Sequence, residues 1–144
     1  MAADPERSPG FLLWHVTLRW QRAVVAALGP LGLTHVQFVL LASTWWLNEQ
    51  GGRPNQLTVA THAGTDVKMT SQVLAKLEAK GLLRREVDPQ DTRAKRLRVT
   101  PSGARLARQS IEVVERVDAE FFAPVSQPAG LLKALNRLAA ISDR

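Results

Sequence analysis

The chain of 144 residues contains no cysteine and no tyrosine, and only three histidines. Without cysteine there are no disulfides, no thiolate metal sites and no cysteine-based redox sensing. His15, His35 and His62 lie in separate segments without metal-ligand spacing, and neither a glycine-rich phosphate loop nor a nucleophile elbow occurs. No enzyme activity and no cofactor are therefore expected. Long apolar runs are also lacking. The longest, Phe38 to Leu47, is interrupted by Ser43 and Thr44, well short of the roughly 20 residues that span a bilayer. The first ten residues carry Asp4, Glu6, Arg7 and two prolines and lack the apolar core of a secretory signal. The expectation is a cytoplasmic protein with no membrane partner.

With 45% apolar and 22% charged residues, the composition is that of an ordinary folded domain. The net charge of +6 is unevenly placed. Residues 53–108 hold 12 Lys/Arg against 5 Asp/Glu, a net of +7, while the rest of the chain holds 7 against 8. A basic surface confined to one region is the electrostatic footprint of a polyanion partner.

Periodicity and turn chemistry predict the elements. Phe11 to Leu28 reads as a helix with Leu12, Val16, Trp20, Ala23 and Ala27 on one side, ended by Gly29-Pro30 and Gly32. Thr34 caps a second helix to about Asn48, apolar nearly all round and so central and buried. A short helix over about Gln56 to Ala63 is expected to face Leu57 and Ala60 inward. After a Gly64-Thr65 turn, Asp66 caps a helix from Val67 to about Lys80, with Thr70, Val73, Leu74 and Leu77 as its inner stripe and Gly81 as its stop. Leu82–Val87 and Arg96–Val99 read as two strands around a turn-rich, basic tip. Thr100-Pro101 starts a helix to about Phe122, and a last helix covers about Ala129 to Ile141. The fold class is mainly α with a small β-hairpin. Two short helices joined by a glycine turn and followed by a hairpin form a winged helix-turn-helix.

A helix that docks in a major groove needs one apolar face toward its own domain and one face of small or polar side chains toward base edges. The helix over residues 67–80 offers both, with Lys68, Met69, Ser71, Gln72, Ala75 and Lys76 opposite the apolar stripe. Gln72 suits a bidentate contact to adenine, and Lys68 or Lys76 suits guanine or phosphate. In the hairpin, Arg93, Lys95, Arg96 and Arg98 are candidate contacts to a minor groove. Asp91, two residues before Arg93, is placed to brace its guanidinium.

Leu33-Thr34-His35-Val36-Gln37-Phe38, Leu77-Glu78-Ala79-Lys80-Gly81-Leu82-Leu83-Arg84-Arg85, Asp88-Pro89-Gln90-Asp91-Thr92-Arg93-Ala94 and Val99-Thr100-Pro101-Ser102-Gly103 follow one another over about residues 31–107. In this order and spacing they resemble the MarR (multiple antibiotic resistance regulator) family of winged helix-turn-helix regulators. The resemblance implies a homodimer on a pseudo-palindromic duplex operator, with recognition helices in successive major grooves and wings at the minor groove. Mapped here, Lys68, Met69, Ser71 and Gln72 face bases and Arg93 is the wing arginine. Many relatives carry arginine where this chain has Gln72, which leaves the preferred base open. The resemblance also implies repression relieved by a small aromatic or anionic effector.

Residues 1–32 and 101–144 are then a helical dimerisation region around a DNA-binding region at 33–100, in one structural unit. Candidate dimer-core residues are Leu12, Val16, Phe121, Phe122, Leu131, Leu135 and Leu138. Trp14, His15, Trp45 and Trp46 are the candidate lining of an effector pocket, against the alternative that the indoles simply pack. Two other functions fit the fold: a winged-helix protein-interaction module, which has no need of the localised charge, and a non-specific architectural DNA binder.

Overall fold

The computed structural model describes residues 4–91 and 95–141. Among these the order is α1 (Pro9–Leu28), α2 (His35–Glu49), α3 (Gln56–Ala63), α4 (Val67–Ala79), β1 (Leu83–Val87), β2 (Lys95–Val99), α5 (Pro101–Phe121) and α6 (Pro128–Ala139), with short 3-10 turns at Pro5–Arg7 and Gly29–Leu31. This is the expected mainly helical winged helix-turn-helix.

Local chemistry accounts for the boundaries. At Thr34 the hydroxyl accepts from Gln37 N–H while the Gln37 side chain accepts from Thr34 N–H, a reciprocal capping box. Asn55 caps α3, Asp66 caps α4 and Thr100 caps α5. Each side-chain oxygen satisfies an amide that the first turn leaves without an intrahelical partner. Gly81, at φ +76°, takes the chain out of α4 in the left-handed conformation that β-carbons disfavour.

α2 runs through the middle of the molecule, with Leu40, Leu41 and Thr44 fully buried. Around it the core takes Val24 and Leu28 from α1, Val59 from α3, Leu74 and Leu77 from α4, Leu97 from β2 and Ala107 from α5. The sheet has two antiparallel strands, with Leu83 opposite Val99 and Val87 opposite Lys95. A third segment supports it, since Leu97 N–H donates to the carbonyl of buried Pro54 (2.8 Å).

One expected face differs. Leu57 does not face inward: it is 60% exposed, and α3 buries Val59 beside the expected Ala60. In a helix of eight residues two apolar stripes compete, and the one holding β-branched Val59 meets the core. On α1, Trp20, Ala23 and Ala27 border the buried Val24 and Leu28, and Leu12 and Val16, candidates for the dimer core, lie exposed in the single chain. No single helix among the described residues is long and apolar enough to cross a membrane.

Candidate nucleic-acid interface

α4 is fixed to its domain from three sides. Leu74 and Leu77 are buried in the core, each such side chain contributing about 1.5–3 kcal/mol. At the N-terminus the Asp66 carboxylate accepts from Met69 N–H (2.8 Å), and the Thr70 hydroxyl lies 2.6 Å from that of Thr65 in the preceding turn. At the C-terminus Lys80 Nζ donates to the Gly32 carbonyl (2.8 Å) and to Gln37 Oε1 (3.2 Å), joining the end of α4 to the start of α2.

With that side locked, the opposite side is presented to solvent. Lys68, Gln72, Ala75 and Lys76 are exposed, and Met69 and Ser71 are half-buried at the margins. Lys68, Gln72 and Lys76 recur every fourth residue and so form one row. The structure thus brings together all five residues expected on the recognition helix.

The wing carries a network of internal ion pairs. Pairing puts Arg84 opposite Arg98 and Glu86 opposite Arg96, so these four side chains and Asp88 share one face of the hairpin. Arg98 Nε donates to Glu86 Oε1 (2.8 Å), and Arg84 Nε lies 3.5 Å from the same oxygen. Arg96 donates through Nε (3.1 Å) and Nη2 (2.9 Å) to Asp88 Oδ2 and through Nη1 to the Arg53 carbonyl (3.3 Å). The guanidinium expected at the minor groove is therefore engaged within its own domain. On the other face Arg85 lies 3.4 Å from Glu78. Lys95 is exposed and, among the described wing residues, is the cation without an ion-pair partner. Asp91 N–H donates to the Asp88 carbonyl (3.2 Å). Arg93 lies outside the described residues, as does its expected brace to Asp91.

Two further residues, Asn48 and Gly103, support this surface. Asn48 Nδ2 donates to the Gly52 and Leu97 carbonyls, and its Oδ1 accepts from Val99 N–H, so one amide on α2 holds both the loop before α3 and the wing's second strand. Gly103 packs against backbone: a β-carbon there would overlap the Leu82 carbonyl oxygen.

The aromatic residues group differently from the expected pocket. Trp46 stacks on His62 (5.4 Å, 18°), and His15 meets Phe11 edge-on (4.5 Å). Trp14 is exposed on α1. Trp45 is half-buried, and its Nε1 is buried without a hydrogen-bond partner among the described residues. The indole placed among α1, α2 and α5 is Trp20, which donates to Asp118 Oδ1 (2.8 Å) and meets His35 edge-on (5.2 Å). Burial lowers the His35 pKa below 6.5, and the Asp118 carboxylate opposes that shift. The described cavities lie elsewhere, one of about 830 Å³ along α6 and one of about 360 Å³ at the wing base.

A buried-backed helix with a polar and basic outer face, preceded by a tight turn and followed by a charged hairpin, defines the winged helix-turn-helix class of DNA-binding proteins. The MarR family pattern matches residues 33–95. YdcH, an uncharacterized HTH-type transcriptional regulator of Bacillus subtilis, is 40% identical over 94% of this chain and 92% of its own. An HTH-type transcriptional repressor of Mycobacterium tuberculosis is 33% identical over 83% of each chain. CouR from Rhodococcus jostii RHA1, bound to p-coumaroyl-CoA, has the same fold at a TM-score of 0.84, with 27% identity over 99% of both chains. The transcriptional repressor CouR bound to a 23-mer DNA duplex matches at 0.81, with 25% identity over 93% of this chain and 94% of that one. The chain belongs to the MarR family and is a DNA-binding transcriptional regulator.

Proposed function

We propose that the protein acts as a homodimeric repressor on a pseudo-palindromic operator, with Lys68, Met69, Ser71, Gln72 and Lys76 at the major groove and Asp91, Arg93 and Lys95 at the wing. The row Lys68, Gln72, Lys76, exposed on a helix locked from behind, is the observation that carries the reading. Two lysines supply backbone affinity, and the amide between them supplies a base-reading fork.

The need for a dimer follows from the terminal helices. α6 buries none of its residues in its own chain, and Leu138 on it is 80% exposed. The first turns of α1 likewise expose Phe11, Leu12, Leu13 and Trp14. Contiguous apolar faces of this kind mark association surfaces, and a two-fold dimer would set two α4 helices on successive grooves about 34 Å apart. A reading as a protein-interaction module leaves the basic row on α4 without a role.

Control by a small effector is part of the proposal. Its support is the likeness to CouR, a repressor whose structure holds an aromatic, anionic thioester, p-coumaroyl-CoA. In this chain Trp45 Nε1 is the buried donor without an acceptor among the described residues, which favours it over Trp14, His15 and Trp46 as an effector contact. A ligand that prefers the DNA-incompetent spacing of the two α4 helices is sufficient to release the operator.

Footprinting on the DNA upstream of the protein's own gene tests the reading. Two protected half-sites separated by one helical turn, occupied by one dimer, are expected. Protection without a preferred position would instead establish a non-specific binder.

A further inference from the structure

The wing base contains a clasp whose geometry is at odds with a direct DNA role for its arginine. Asp88 is at the end of β1, and its Oδ1 accepts from Gln90 N–H (2.9 Å), which shapes the turn into the tip. Its Oδ2 takes both the Nε and Nη2 hydrogens of Arg96 (3.1 and 2.9 Å). The remaining Nη1 of Arg96 reaches back to the Arg53 carbonyl in the loop before α3 (3.3 Å). One guanidinium thus ties the strand leaving the tip, the strand entering it and the loop that carries Pro54, whose carbonyl also receives Leu97 N–H. The clasp borders an open cleft lined by Gly51, Arg53, Val87 and Pro89.

We propose that Asp88 and Arg96 are positioning residues that aim the wing at DNA, and that Arg96 makes no phosphate contact of its own. The proposal rests on the DNA-binding reading above. A planar fork that donates through Nε, Nη1 and Nη2 at once suits this task, and an ammonium does not replace it. The Gln90 amide and the Arg96 guanidinium hold the Asp88 carboxyl below its ordinary range, so the clasp stays ionised through neutral and mildly acidic pH.

Two substitutions separate this role from plain electrostatics by the sign of their effect. Asp88→Asn removes a negative charge from a DNA-binding lobe, and Coulomb attraction alone then predicts tighter binding. The clasp predicts weaker operator binding, by about three- to tenfold, because the carboxylate that orients Arg96 is gone. Arg96→Lys keeps the charge and loses the fork. It is expected to weaken binding by a similar factor, while the slope of log K against log salt stays at the wild-type value. The double variant is expected to be no weaker than the weaker single variant, as for two parts of one device. Operator affinity and salt slope would be measured on all four proteins well below their melting temperatures, with circular dichroism confirming the fold.

Tighter binding by Asp88→Asn, wild-type affinity of Arg96→Lys, or additive losses in the double variant would overturn the clasp. If the wild-type protein itself fails to bind its upstream duplex, the regulator reading fails first. If wild type binds and Asp88→Asn binds equally well or better, only the clasp fails. Should Asp88→Asn not fold, Arg96→Lys against wild type decides alone.

Discussion

Gly103→Ala tests how the recognition helix and the wing are seated on α5. Gly103 is buried in the first turn of α5, where its N–H donates to Thr100 Oγ1 (3.0 Å). The Thr100 hydroxyl donates to the Gly81 carbonyl (2.6 Å), Ser102 Oγ donates to the same carbonyl (3.1 Å), and Thr100 N–H donates to the Leu82 carbonyl (3.1 Å). Gly81 and Leu82 are the link between α4 and β1, so this cap region holds both DNA-facing parts. An added methyl would overlap the Leu82 carbonyl oxygen, a backbone atom with no rotamer to move into. Alanine gains at most about 1 kcal/mol in helix propensity. Against this, overpacking costs about 1–3 kcal/mol, and a displaced α5 start loses two or three of the linking hydrogen bonds at about 1 kcal/mol each. The net expectation is a loss of about 2–5 kcal/mol, a fall in Tm of roughly 10 °C for a chain of this size. Thermal unfolding at matched protein concentration measures it, since association adds to apparent stability. Gly29→Ala is the control. Its added carbon meets nothing within 4 Å at a right-handed helical φ of −51°, so it should be neutral or stabilising by up to about 1 kcal/mol. A Gly103→Ala Tm at or above wild type would refute the close approach.

Other perturbations address the surface and the assembly. Gln72→Ala should cost about 1–3 kcal/mol at one base position in each half-site, seen as relaxed preference in a single-substitution operator series; equal loss on all sequences would assign Gln72 to the backbone. Arg93→Ala should weaken binding across sequences and lower the salt slope by about one; an unchanged slope and affinity would remove Arg93 from the interface. Leu135→Asp with Leu138→Asp removes two apolar contacts worth about 1.5–3 kcal/mol each, so the dimer dissociation constant should rise by about a hundredfold or more, and a dimer unchanged by sedimentation would relocate the interface. His35 titrates below its ordinary value in the folded state. Its neutral form is therefore favoured by folding, and its contribution is complete above about pH 6.5 and is lost as pH falls through the lowered folded pKa. His35→Gln should flatten stability over that acidic window, and an unaltered pH dependence would show that burial of His35 plays no part.

The fold was legible where chemistry is local. Caps at Thr34, Asp66 and Thr100 and the stop at Gly81 set helix ends that the structure reproduces within a residue or two. The outer face of α4 was legible because a strict helical stripe leaves its complement defined. Leu57 was misjudged because eight residues admit more than one apolar stripe. The internal partners of Arg96 were not legible, because the facing of a hairpin side chain depends on register. Only the pairing of Glu86 with Arg96 and of Arg84 with Arg98 puts Asp88 within reach of the Arg96 guanidinium. Asn48 and Lys80 act across 49 and 48 residues of sequence, respectively, and nothing in their neighbourhoods announces it. Of the aromatics near the expected effector junction, His15 and Trp46 pair with local rings, and Trp20 bridges α1, α2 and α5.

The most direct test of the regulator account is a salt titration of the intact protein on its own upstream duplex and on scrambled duplex of equal length. The account predicts a steep salt slope on both DNAs, from the lysines of α4 and the wing, and a preference for the upstream duplex of roughly 10³-fold or more. Equal affinity for the two duplexes, or no binding at low salt, would contradict it.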